Sequence, residues 1–218
     1  EGYYKAMQNQ IDAKDGEDLL LNDNIEEALA AGKAWSYGAE FYIKKNYGKT
    51  TGWISYTLST TQREIAEINL GNAYSPRYDR PHNLAVVVAH QFSPRVTLAG
   101  NFTFTSGAAV TFPIGRYKVG NDVISYYQDG KRNSSRLPDY HRADLSLTID
   151  GKQKRNWKGS WNFSIYNFYN RKNAFSIYFR EKEDENEVGT GEYEAVQTTL
   201  FGIIPSITYN FKFSFDKK

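Results

Sequence analysis

The segment Ile207-Thr208-Tyr209-Asn210-Phe211-Lys212-Phe213-Ser214-Phe215 decides the fold class. Every odd position carries an apolar or aromatic side chain and every even position a polar one. Successive side chains of a strand point to opposite faces, so this is a strand with one apolar and one polar face. The same alternation recurs upstream. Trp35, Tyr37, Ala39, Phe41 and Ile43 alternate with Ser36, Gly38, Glu40, Tyr42 and Lys44. Ile54, Tyr56 and Leu58 alternate with Trp53, Ser55, Thr57 and Ser59. Leu84, Val86 and Val88 lead a further segment, and Leu98, Gly100, Phe102 and Phe104 alternate with Thr97, Ala99, Asn101, Thr103 and Thr105. Ala143, Leu145, Leu147 and Ile149 face away from Arg142, Asp144, Ser146 and Thr148, as Trp161, Phe163 and Ile165 do from Asn162, Ser164 and Tyr166. Tyr3–Ile11 is a weaker opening strand. The pattern predicts about eight strands of roughly ten residues, the length that crosses a bilayer when tilted.

The connections alternate too. Short links at Asn46–Lys49, Ser93–Arg95 and Gly151–Lys158 are interleaved with long ones at Lys14–Gly32, Gln62–Pro81, Gly107–Tyr140 and Glu181–Ala195. Soluble domains rarely carry several structureless loops of that length, whereas outer-membrane barrels have short inner turns and long outer loops. The first long link is expected to hold a short helix, with Asn24 as cap, Glu27 closing a capping box, Ile25–Ala31 as helix formers and Gly32 as the stop. On this topology Trp53, Phe92, Trp161 and Phe213 fall near the inner ends of strands, and Trp35, Tyr37 and Phe104 near the outer ends. Two aromatic belts around an aliphatic band are what two membrane interfaces favour.

Composition narrows the classes further. Lys+Arg 27 against Asp+Glu 25 leaves a net charge of +2, too balanced for a nucleic-acid footprint. Cysteine is absent, which removes disulfides, Cys-ligated metals and thiol nucleophiles. The longest apolar run, Leu84–Ala89, is far short of a membrane-spanning helix. The chain opens on Glu1-Gly2-Tyr3-Tyr4 inside an expected strand, which suggests a mature or cropped product.

No catalytic constellation emerges, and the chain reads as a non-enzyme without cofactor or metal. His82, His90 and His141 lack metal-ligand spacing, and Ser146 lies on the face opposite His141. The acidic run Glu181–Glu187 lacks the regular ligands and central glycine of a calcium loop and is expected to be a solvated loop tip. Glu40, Arg142 and Asp144 fall on polar rows. A lipid-facing charge costs a few kcal/mol near mid-membrane, so these three are expected to face a lumen. In the loop 107–140, Arg116, Tyr117, Tyr126 and Tyr127 could grip a ligand through charge and stacking.

Several segments together resemble the C-terminal part of the barrel of a TonB-dependent outer-membrane receptor. They begin with Gly32-Lys33-Ala34-Trp35-Ser36-Tyr37-Gly38-Ala39-Glu40 and Thr51-Gly52-Trp53-Ile54-Ser55-Tyr56-Thr57-Leu58-Ser59. Tyr78-Asp79-Arg80-Pro81-His82-Asn83-Leu84 follows, then Ser106-Gly107 with Thr111 and Pro113. Arg136-Leu137-Pro138-Asp139-Tyr140-His141-Arg142-Ala143-Asp144-Leu145-Ser146, Tyr166-Asn167-Phe168-Tyr169-Asn170-Arg171 and the closing Gly202–Phe213 complete the match, which covers nearly the whole chain.

The resemblance implies an antiparallel up-and-down transmembrane barrel, of which residues 1–218 supply about eight strands of twenty-two. It further implies a plug domain, energy from the TonB–ExbB–ExbD complex, a Gram-negative outer membrane as location, and a scarce nutrient as cargo (an iron chelate, cobalamin, a peptide or a glycan). This chain shows neither plug nor TonB-contacting box, so energy coupling maps to none of its residues. Asp216-Lys217-Lys218 also follow the final aromatic, where the family usually stops. The expected partners are the remaining strands and plug, outer-membrane lipid and a small nutrient. A self-contained eight-stranded barrel with a structural, adhesive or lipid-modifying role is the alternative. The inward rows of Ser, Thr, Ala, Gly and Asn would leave voids in so narrow a barrel and suit a wide one. A soluble sandwich or lipocalin-like binder comes third, because it would need a second sheet over the aromatic rows.

Overall fold

The computed structural model describes residues 1–16, 24–120, 122–154, 156–183 and 189–213. The strands in chain order are β1 (Gly2–Ala13), β2 (Leu29–Lys45), β3 (Thr50–Glu64), β4 (His82–Ser93), β5 (Val96–Thr105), β6 (Ala109–Val110) and β7 (Gly115–Val119). They continue with β8 (Asp122–Tyr126), β9 (Ser135–Arg136), β10 (Tyr140–Asp150), β11 (Trp157–Tyr166), β12 (Ser176–Glu183), β13 (Gly189–Thr198) and β14 (Ile204–Phe213). Eight form one large antiparallel sheet in the order β1-β2-β3-β4-β5-β10-β11-β14, so neighbours in the sheet are neighbours in sequence apart from hairpin insertions. The remaining six pair as β6-β9, β7-β8 and β12-β13. β1 and β14 are the outermost strands of the order, and all ten residues of β14 are exposed.

The chain divides into two compact units. The first comprises Glu1–Phe41, Thr57–Asn83 and Ser106–Pro138; the second comprises Tyr42–Tyr56, Leu84–Thr105 and Asp139–Lys218.

In the first unit, β1 pairs with β2 through Tyr3↔Gly38, Lys5↔Ser36 and Met7↔Ala34, then resumes at Gln10↔Gly32 and Asp12↔Ala30. Between these stretches Asn9 takes a left-handed φ of 55°. That is a β-bulge: one extra residue shifts the side-chain phase. Tyr3, Lys5 and Met7 therefore share a face with the even-numbered Asp12, which is why β1 looked like a weak strand. The expected helix at Ile25–Ala31 is absent. Residues 25–28 form a turn in which the Glu27, Ala28 and Leu29 amides donate to the Asn24, Ile25 and Glu26 carbonyls. Strand pairing then claims Leu29 onward. Gly32 is required for close approach, since a Cβ there would lie 2.4 Å from the Glu64 carbonyl oxygen. Nearby, Ala30, Ile65, Ile68 and Tyr74 form the buried apolar cluster.

Three of the motif segments quoted above converge in this unit. Asp79, its side chain 1% exposed, accepts from the Thr61 backbone N–H at 2.7 Å and from Arg136 Nη2. Arg136 Nη1 donates to the carbonyls of Asp79 (2.8 Å) and Gly107 (3.1 Å). Gly107 admits no side chain, because a Cβ would sit 1.6 Å from the Leu137 carbonyl oxygen. Ser106 closes the knot by accepting the His82 N–H on its hydroxyl and donating its own N–H to the His82 carbonyl.

In the second unit the register shows two chemically distinct faces. Leu98↔Leu147, Leu147↔Phe163 and Phe163↔Ile207 make one continuous row over four strands, and Val96, Ile149, Trp161 and Tyr209 make the next. On the opposite face run Thr97, Thr148, Asn162 and Thr208, then Ala99, Ser146, Ser164 and Ser206. Asn162 ties its row together by donating to the Ser146 and Thr148 hydroxyls at 2.7 and 2.9 Å. Among the described residues the far edge of the apolar face is uncovered: Ile207, Phe211 and Phe213 are 66, 59 and 60% exposed. Tyr209 leans over Gly159, where a Cβ would lie 2.2 Å from its hydroxyl. Because that ring can swing aside, Gly159→Ala is expected to cost only about 1–2 kcal/mol, read as a shifted unfolding midpoint. A midpoint unchanged within error would show that the ring does not occupy the glycine's place.

The two long links after β5 and β11 are partly ordered as hairpins, which the sequence reading had as loops. In β12-β13 the acidic residues lie along paired strands, with Arg180–Glu194 at 2.8 Å and Lys182–Glu192 at 2.9 Å. Cross-strand ion pairing holds this segment extended. The tip of the acidic run, residues 184–188, lies outside the described residues, as do Phe215 and Asp216-Lys217-Lys218.

Candidate functional site

A cavity of about 540 Å³ lies in the first unit. Its size is typical of small-molecule sites. It is built where β1 and β3 end and the segments 76–78 and 127–133 meet. β1 delivers Asp12 to it through the phase shift at Asn9, and β3 delivers Arg63 on the polar row of Ser59 and Thr61.

One carboxylate organises the floor. Asp12 accepts from Arg63 Nη1 at 2.9 Å and from the Tyr74 hydroxyl at 2.9 Å on one oxygen, and from Arg132 Nη2 at 3.1 Å on the other. Arg132 Nη1 also pairs with Asp15 at 2.7 Å, and Asp15 caps the Asn69 N–H at 2.7 Å. The Asn69 amide oxygen in turn receives the Arg132 N–H at 2.8 Å. Burial, reinforced by the bond to Asp12, pushes the Tyr74 hydroxyl above the ordinary phenol range, so it stays a donor at physiological pH. Arg63 and Arg132 are thus locked, with their charge offset. What remains for a ligand is Arg77 and Asp129, neither ion-paired among the described residues, beside the rings of Tyr78 and Tyr127. Arg63 Nε is buried with no hydrogen-bond partner among the described residues. The arrangement offers donors, acceptors and aromatic faces, which suits binding.

Of the four loop candidates, Tyr127 lines this cavity. Arg116 and Tyr126 belong to the β7-β8 hairpin, opposite Ser125 and Gly115, and the Tyr126 ring packs over Gly115. Tyr117 pairs with Ile124, and its side chain lies outside the described residues. Glu40 is exposed on the row of Ser36 and Gly38, and its carboxylate makes no ion pair among the described residues.

Arg142 and Asp144 are brought together in the second unit, on the polar face. Arg142 pairs with Asp144 at 3.0 Å, donates to the Tyr140 and Tyr166 hydroxyls at 3.0 and 2.9 Å, and stacks 4.1 Å from the Tyr166 ring centre. Asp144 also accepts the Asn167 N–H at 2.8 Å, fixing the turn in which Asn167 and Asn170 take left-handed φ of 52 and 55°. Val87 lines a second cavity together with Ala99, Asn101, Asp144, Ser146 and Ser164, and with Gly100, Leu145 and Ile165.

No family model matches this chain, and neither does any curated protein or solved structure.

The aromatic set divides. Phe92 continues the row of Val86 and Val88 and meets His90 edge-on at 4.6 Å, while His90 Nδ1 bonds the Thr50 hydroxyl at 2.7 Å. Trp161 and Phe213 lie on the apolar face in a run of neighbouring rings: Trp161–Tyr209, Tyr209–Phe211 and Phe211–Phe213 are 4.7, 6.2 and 5.4 Å apart. Phe104 stacks on His141 at 6.5 Å, and His141 Nδ1 bonds the Tyr169 hydroxyl at 2.8 Å. Trp35 and Tyr37 pair with Ala6 and Tyr4 on one face of β1-β2. Trp53 is the exception: it alternates with the exposed Ile54 and lies 6.2 Å from Tyr42, on the polar row of Ser55 and Thr57.

Proposed function

We propose that this chain is a stretch of the transmembrane barrel of a TonB-dependent receptor in a Gram-negative outer membrane. It would form part of the wall through which a scarce nutrient is imported, and carry no catalytic residue. The observation that carries this reading is the continuous apolar face of β5-β10-β11-β14, left uncovered while the opposite face is small and polar. Contiguous exposed apolar surface of that extent marks a membrane or protein contact. The dimensions agree with a bilayer. From Ile149, paired with Trp161, to His141, paired with Phe104, the strand advances about 27 Å at about 3.4 Å per residue. Tilted by about 40°, that projects to roughly 21 Å, near the roughly 25 Å apolar band of outer-membrane barrels. Aromatic rings stand at both ends and Leu98, Leu145 and Leu147 between them.

Unpaired backbone groups on an edge strand cannot face lipid, so the outer edges of β1 and β14 require further strands of a larger barrel. On such a receptor Arg77, Asp129 and the rings of Tyr78 and Tyr127, above the preassembled Asp12–Arg63–Arg132 floor, would supply ligand contacts.

Single cysteines test the faces. In a membrane-inserted barrel, Leu98→Cys is expected to react readily with a lipophilic maleimide and Thr97→Cys with a water-soluble one. Equal labelling of both positions by the lipophilic reagent sinks the reading.

A further inference from the structure

We infer that the end of the sheet carrying the short turns binds the headgroups of anionic phospholipids in the leaflet beside it. The inference rests on the membrane reading above, but its observations are separate. Lys44, Lys45 and Lys49 flank the turn between β2 and β3, Arg95 stands in the turn between β4 and β5, and Lys152, Lys154 and Lys158 surround the turn between β10 and β11. Lys212 pairs in register with Lys158. Against these cations the same segments hold one carboxylate, Asp150, whose side chain is taken by Lys158 at 2.9 Å. The whole chain has a net charge of only +2, so its other segments are net acidic and the basic end is a local device. Lys44, Lys45, Lys49, Lys152 and Lys212 make no ion pair among the described residues.

The cations meet the aromatic band. Lys154 Nζ lies 4.9 Å from the Trp157 ring centre. A cleft of about 200 Å³ is lined by Arg95, Lys152 and Lys154, by Asp150, and by the rings of Trp157, Trp161 and Tyr209. Arg95 is held in place by its Nε bond to the Asp150 carbonyl at 2.7 Å. Amphipathic rings settle at headgroup depth, and basic side chains reach past them to phosphate. A cleft lined by three rings of the apolar face and by three cations, with its one carboxylate already paired to Lys158, therefore fits a glycerophosphate headgroup and its first acyl carbons. A zwitterionic headgroup brings its own ammonium group into the same cation cluster, so anionic lipid is preferred.

The test uses the natural full-length polypeptide containing this chain, inserted in nanodiscs of phosphatidylethanolamine and phosphatidylglycerol at four to one, with retained lipids counted by native mass spectrometry. Retained phosphatidylglycerol is expected several-fold above its bulk share. The combined variant Arg95→Gln, Lys152→Gln, Lys154→Gln is expected to weaken that retention about tenfold or more. The control Lys182→Gln on β12 is expected to leave it unchanged. Retention at the bulk ratio, or enrichment that survives the triple variant, overturns the inference while leaving the membrane reading intact. Preferential retention of lipopolysaccharide in its place also overturns it. A polypeptide that stays monodisperse in water without detergent or lipid overturns the membrane reading itself.

Discussion

Asp79→Ala is expected to destabilise the protein by about 2–4 kcal/mol. Removing one partner of a buried ion pair typically costs about 3–5 kcal/mol, and Arg136 keeps 36% of its side chain exposed, so water recovers part of the loss. Two further losses follow the carboxylate: the Thr61 N–H loses its acceptor, and Arg136 loses the anchor that aims Nη1 at the Gly107 carbonyl. Asp79→Asn retains an oxygen for Thr61 and is expected to cost roughly half as much. Denaturant unfolding of the two variants measures both quantities. The accompanying signature is local: protease cleavage within 62–81 and 107–138 should accelerate in Asp79→Ala before the second unit is touched. Two variants with wild-type midpoints would mean that the knot is held by Ser106 and the Gly107–Leu137 approach alone.

Alternation made the main sheet legible because a period of two survives wherever each face meets one kind of surroundings. Six of its strands showed that period directly, and β4 instead opens on the continuous apolar run Leu84–Ala89. The eighth, β1, hid it behind a one-residue bulge at Asn9, where asparagine's tolerance of a left-handed φ is too weak a signal to place a bulge by itself. The stretch Asn24–Gly32 misled for a related reason. Its capping residues and alanines satisfy a helix locally, yet Ala30 and Gly32 are small because Ile65 and the Glu64 backbone press against them. Tertiary crowding, not helix propensity, selected them. The hairpins within the long links escaped because their strands are short or charged, and cross-strand ion pairs stand in for an apolar face. The cavity was less legible still. Asp12 meets Arg63 across 51 residues and Arg132 across 120, and charges so far apart carry no local pattern. Extending the polar row of β3 beyond Ser59, through Thr61, would have found Arg63. Only pairing reveals Arg132. Arg142 and Asp144, by contrast, were readable, because two residues apart on one strand they must share a face.

Leu145→Arg is expected to cost about 2–4 kcal/mol in a bilayer, and Ile149→Arg, four residues along the same strand, no more than about 1 kcal/mol. Both replace an apolar residue on the same face, and both are flanked by apolar partners: Ile165 and Gly100 beside Leu145, Trp161 and Val96 beside Ile149. They differ in depth. Leu145 stands midway between the aromatic groups around Trp161 and His141, whereas Ile149 adjoins Trp161, where a guanidinium can reach phosphate and water. A face packed against a second protein layer would penalise both substitutions similarly, since a buried unpaired charge is costly anywhere in a core. The gradient along the strand is thus the signature of lipid. Ser146→Arg supplies the opposite face: its side chain would enter the polar row beside Asn162 and Thr148, losing little beyond the one hydrogen bond from Asn162 at 2.7 Å, about 1 kcal/mol. Equilibrium folding into vesicles, titrated with urea, ranks the three variants. The expected order of cost places Leu145→Arg well above the other two. Equal costs for Leu145→Arg and Ile149→Arg would place this face against protein, and the membrane reading would fall with it.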